Sequence, residues 1–190
     1  MMGRLVLSTL LLVAATPAFA HVGQHLGFSA VSGFVHPLMG LDHLAAMIAV
    51  GLWAAMAGGK RICIWPTAFV VAMLFGGFIG HAGVELPQVE PIIALSVIIL
   101  GGLVALGVNA PVPAGATLIA IFAIFHGHAH GAEAPAEGWV GYALGFAAAT
   151  AMLHMIGIGV GLGLQRAVGA LPVRALGAAT AVLGVFILMQ

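Results

Sequence analysis

Apolar residues occupy this chain in repeated stretches of roughly 20, the length an α-helix needs to cross the hydrocarbon core of a bilayer. The pattern predicts an all-α integral membrane protein with six transmembrane helices after an N-terminal signal peptide. The spans read as 28–56, 62–81, 89–108, 114–130, 139–164 and 170–189. The first is too long for one straight crossing. Pro37 within it cannot donate to the helical ladder and clashes with the preceding turn. With Gly33 and Gly40 flanking it, this helix is expected to be broken or kinked near Pro37. Irregular backbone at membrane depth persists only where protein or a wet cavity covers it, so the break is the first place to look for a site.

Residues 1–20 have the form of a secretory leader. Arg4 supplies the positive end, Leu5 to Ala15 the apolar core, and Ala18-Phe19-Ala20 a small-x-small cleavage site. Cleavage leaves 21–190 as a single transmembrane domain whose first residue, His21, lies outside the cytoplasm. Alternating sides from there puts Lys60, Arg61, Arg166 and Arg174 in the cytoplasm, as the positive-inside rule requires, and Glu85, Glu90, Glu133 and Glu137 outside. The expected location is the bacterial inner membrane, multi-pass, with a periplasmic mature N-terminus. Asp42 is the one acid assigned to the interior of a span. Paired glycines four apart in span five (Gly157/Gly161 and Gly159/Gly163), and Gly76, Gly77 and Gly80 in span two, read as close helix packing.

Composition narrows the classes. The chain is 63% hydrophobic with mean hydropathy +1.22, unlike a soluble domain. A single cysteine excludes an internal disulfide or a cysteine-based metal cluster within one chain. Four scattered basic residues after the leader make no nucleic-acid footprint. Yet nine histidines remain while only 5% of residues are charged. An aspartate in hydrocarbon costs about 2.5–3.5 kcal/mol on insertion scales, so ionisable groups kept in spans point to an ion or proton path. Imidazole with carboxylate also suits nickel, cobalt, copper and zinc.

Two constellations carry this chemistry. In His36-Pro37-Leu38-Met39-Gly40-Leu41-Asp42-His43 the histidines are seven apart, hence about 10 Å along an ideal helix. Either the break draws them together or they mark two stations, and Asp42 and His43 need partners from other helices. In Phe125-His126-Gly127-His128-Ala129-His130-Gly131, His126 and His130 share a helical face, a spacing suited to chelation. His128 points elsewhere if the helix continues; if Gly127 and Gly131 loosen it, a loop chelates through all three. Glu133 adds an oxygen donor nearby. His154 sits near the middle of span five, and His81 closes span two at the outer interface. His21, freed by cleavage, adds an α-amino group, with His25 close by. The expected result is a ladder descending from the outer face: His21, His25, His128, His130 and Glu133 above, His36 and His126 level with one another, then Asp42 and His43, with His154 deeper. A translocated cation needs such successive sites, each weak enough to leave.

The His36-to-His43 segment, continuing through Met47 to Val50-Gly51, resembles the first motif of the HupE/UreJ family, hydrogenase- and urease-associated membrane proteins regarded as nickel permeases. Phe125 to Glu133 resembles that family's second histidine motif, and the likeness covers essentially the whole chain. It implies a Ni²⁺ permease, with Co²⁺ a near alternative and copper further back. It carries His36, Asp42 and His43 onto the first motif and His126, His128 and His130 onto the second. Its implied partners are the lipid bilayer, a divalent metal ion and hydrogenase or urease maturation proteins. No organic cofactor and no enzymatic activity are expected: no phosphate-binding loop is present, and Ser29, Ser32 and Ser96 lack the context that exposes a nucleophile. The competing reading is a membrane haem protein with axial histidines such as His43 and His154.

Overall fold

Seven α-helices and no strand make up the described residues, 30–135 and 138–190 of a computed structural model. The expected leader (residues 1–20), His21, His25 and Glu137 lie outside them. In chain order the helices are α1 (Ala30–Met39), α2 (Leu41–Ala57), α3 (Arg61–His81), α4 (Val89–Leu106), α5 (Val112–Glu133), α6 (Trp139–Val168) and α7 (Leu171–Leu188). Helices α3 to α7 are each long and apolar enough to cross a bilayer, and α1 with α2 would pass the same test as one bent span. The 30-residue α6 rises about 45 Å and so outruns a hydrocarbon core of about 30 Å.

The break expected near Pro37 is present three residues on, at Gly40, where the chain turns through 88°. Pro37 is buried inside α1 with only two residues after it, so its missing N–H removes one bond close to the helix end. Gly40 adopts an extended backbone (φ −92°, ψ 119°) and redirects the chain. A Cβ there would lie 2.8 Å from Asp42 Oδ1 and 3.2 Å from His43 Nδ1. Glycine at the bend therefore leaves room for the Asp42–His43 pair to fold back beneath it.

Helix α2 is the axis of the assembly. From Ala45 to Ala55 every residue but Ile48 is buried, beneath packing from α3, α4 and α6. Helix α1 lies on α6, α7 on α4, and α5 on α3. Glycine makes these approaches possible. A Cβ on Gly127 would strike the Met73 carbonyl, one on Gly131 the Gly77 carbonyl, and one on Gly76 the Ile124 carbonyl, so α3 and α5 meet backbone to backbone. Gly51 and Gly157 do the same for α2 and α6, and Gly161 faces Ala55. Gly159 and Gly163 face open space, so the second glycine pair expected to pack does not. Alternate glycines in a helix lie about 200° apart and cannot share a face.

Large apolar side chains line the outside, among them Val71, Phe75, Phe78, Leu144, Val182 and Phe186. At one end, tryptophan and arginine donors bond carbonyls in and beside the 107–111 turn. Trp53 Nε1 donates to Val108 (2.8 Å), Trp65 Nε1 to Val112 (3.0 Å), Arg61 Nε to Ala110 (2.9 Å) and Arg174 Nε to Ala105 (2.7 Å). The opposite end carries the His81–Trp139 stack (4.7 Å between ring centres) and Glu133. Two acids besides Asp42 also fall within helices, Glu90 in the first turn of α4 and Glu133 as the last residue of α5.

Candidate functional site

The rotation of α5 decides which of its histidines meet the bend. Gly127 and Gly131 are turned into α3, so His126 and His130, each one residue earlier, present their rings to α1 and α2. The helix is continuous from Val112 to Glu133, so the three-histidine loop is not formed. His128 faces away. Its Nε2 donates to the Val84 carbonyl at 2.7 Å, tying α5 to the 82–88 loop.

Across the bend, both histidines of the first motif reach the same neighbour. Ring centres of His36 and His130 lie 4.9 Å apart, and those of His43 and His130 4.4 Å apart. The 88° turn thus lets two residues that a straight helix would space about 10 Å apart both contact His130. His126 stands one turn deeper, 4.8 Å from His43. Sequence spacing placed His126 level with His36; that position belongs to His130, because α5 runs to Glu133 and carries His126 further inward. Phe69 of α3 follows, 5.7 Å from His126 and 5.0 Å from His154.

One end of this file of side chains is part-exposed and the other buried. His36 Nε2 pairs with Glu133 Oε2 at 3.1 Å, and both side chains are about a third exposed (35% and 36%). His126 and His154 are 0% and 1% exposed. Asp42 Oδ1 accepts from the His43 backbone N–H (2.7 Å) and lies 2.8 Å from His43 Nδ1. Buried ring nitrogens normally find a partner, but His43 Nε2, His126 Nδ1 and both nitrogens of His130 and His154 have none. Neutral imidazole with carboxylate is the donor set of borderline divalent cations. Among the described residues, no three histidine, cysteine, aspartate or glutamate side chains already converge as a closed metal site. The donors are strung out along the path instead.

Some members were not singled out by the sequence. Phe69 and Ser96 had no spacing signature; Ser96 Oγ lies 2.9 Å from His126 Nε2. Tyr142 did have a signal, as the sole tyrosine in the chain, set in an apolar span. Its ring centre is 5.9 Å from that of His36, and its buried hydroxyl has no partner. The suggested haem pair has unlike surroundings: His43 is flanked by His126 and His130, His154 by Phe69.

Fold and site together define a multi-pass α-helical membrane protein with a file of buried histidines leading inward from one end. The chain belongs to the HupE / UreJ protein family, whose sequence model matches residues 9–187. It is similar to Protein HupE of Rhizobium leguminosarum bv. viciae, with 45% identity over 186 residues covering 96% of this chain and 97% of that protein. No solved structure matches it.

Proposed function

We propose that this protein is an inner-membrane permease that carries Ni²⁺ into the cytoplasm to supply metalloenzyme maturation. The observation that supports the reading best is the unbroken succession Glu133, His36, His130, His43, His126, Phe69 and His154 inside an apolar helical bundle. The choice of nickel, with cobalt as its nearest rival, and of hydrogenase or urease maturation as recipient, rests on the family resemblance. Counting α1 and α2 as one bent crossing gives six spans, and the end bearing Arg61 and Arg174 faces the cytoplasm under the positive-inside rule. Residues 1–20 are then a cleaved leader, making His21 the first residue of the mature chain.

The mechanism follows from the order of donors. Glu133 and His36 at the open end attract the hydrated ion and replace part of its water. His130 lies within reach of both His36 and His43, so the ion changes ligands without crossing an apolar gap. Asp42 holds the His43 ring and contributes one negative charge; imidazoles and retained waters carry the remaining solvation. His154 receives the ion past Phe69. An inside-negative potential favours entry by about 2.3 kcal/mol per charge per 100 mV, hence about 4.6 for a divalent ion.

Proteoliposomes enclosing a Ni²⁺-responsive dye test the reading, with wild type compared against correctly folded Asp42→Ala. Flux in the wild type and none in the variant is the expected outcome. Equal flux in both removes Asp42 from the path, and a Soret band in the purified protein would point to haem instead.

A further inference from the structure

We propose that Ser96 is a positioning residue that holds His126 as its Nε2–H tautomer, so that Nδ1 is the atom offered to a passing cation. The inference rests on the permease reading and adds the identity of one donor atom. Ser96 is fully buried on α4, and its hydroxyl has two neighbours: the Ile93 carbonyl at 2.6 Å and His126 Nε2 at 2.9 Å. A hydroxyl has one proton. A carbonyl can only accept, so the proton goes to Ile93, the back-bonding that serine adopts within helices. Turning it toward the ring would leave two oxygen lone pairs facing each other at 2.6 Å. The Ser96 oxygen therefore accepts, and His126 Nε2 carries the hydrogen.

The proton count then fixes the other nitrogen. In neutral imidazole one nitrogen is a donor and the other an acceptor, which makes Nδ1 the lone pair. That atom is buried and without a partner. His43 is set the opposite way. The Asp42 carboxylate accepts from Nδ1–H at 2.8 Å, leaving Nε2 as the buried, unpartnered lone pair. Two adjacent rings, 4.8 Å apart and almost perpendicular at 89°, are thus oriented by different partners from different helices. A cation binds only the deprotonated nitrogen, and outer partners that fix a histidine tautomer commonly change metal affinity 10–100-fold when removed.

The test reads the tautomer directly. Protein labelled with ¹⁵N-histidine is placed in lipid nanodiscs without metal, and the His126 signals are assigned by their loss in His126→Gln. Nε2–H is expected in the wild type and in Ser96→Thr, with both tautomers populated in Ser96→Ala. Ni²⁺ flux at subsaturating concentration should fall about 10-fold or more in Ser96→Ala and return in Ser96→Thr. A wild-type Nδ1–H tautomer, an unchanged tautomer in Ser96→Ala, or an altered tautomer with undiminished flux each overturns the assignment. Wild-type vesicles that pass no Ni²⁺ overturn the permease reading, and with it the role of Nδ1, whatever the tautomer.

Discussion

Adding one methyl group to the α3–α5 seam should damage the path without touching a histidine. A Cβ on Gly131 would lie 2.8 Å from Gly77 Cα, where ordinary contact begins at 3.4 Å, and would strike the Gly77 carbonyl. A Cβ on Gly127 would lie 2.9 Å from Gly77 N. These neighbours are backbone atoms and cannot swing aside. The helices must part by at least about 0.6 Å, and the shift carries His126 and His130 with α5. Overpacking of this kind costs about 1–3 kcal/mol, against about 0.5–1 kcal/mol gained by replacing a helical glycine with alanine. The clash wins in Gly131→Ala. Gly159→Ala is the control: nothing lies within 4 Å of its Cβ, so only the helix-propensity gain remains. Thermal unfolding followed by circular dichroism in one detergent, with Ni²⁺ flux beside it, reads both effects. Gly131→Ala should unfold at lower temperature and carry less Ni²⁺, while Gly159→Ala should match or exceed the wild type in stability. Indistinguishable stability and flux in the two variants would refute the reasoning.

Two further outcomes separate the members of the second histidine motif and probe their chemistry. His130→Gln should abolish flux, because its ring bridges His36 and His43, whereas His128→Gln should keep most flux and speed protease cleavage or hydrogen exchange in the 82–88 loop it tethers; equal loss of flux in both would place His128 on the path. Uptake should fall as external pH drops from about 7.5 to 5, since a protonated imidazole has no lone pair to give a cation; a flat profile would count against capture by histidine.

What the sequence made legible is what depends on local spacing. Apolar length located the helices, and the i, i+4 relation of His126 and His130 placed them on one face of α5. The convergence of His36 and His43 on the His130 ring is different in kind. It depends on the angle at Gly40, and a proline flanked by glycines announces a break without fixing its position or its direction. Glycines misled for a related reason. Gly127 and Gly131 weaken an isolated helix, yet here they are what lets α3 close upon α5, because in a bilayer helices associate through close packing and polar contacts rather than through burial from water. Whether a glycine loosens or binds is decided by the neighbouring helix, as the unlike fates of Gly157 and Gly159 on α6 show. The same holds for the polar partners. Ser96 is one serine on an apolar span, and the Val84 carbonyl belongs to a backbone that every residue possesses, so neither left a pattern to read. Their geometry nevertheless divides the second motif: Ser96 meets Nε2 of His126, and the Val84 carbonyl holds His128 toward the 82–88 loop.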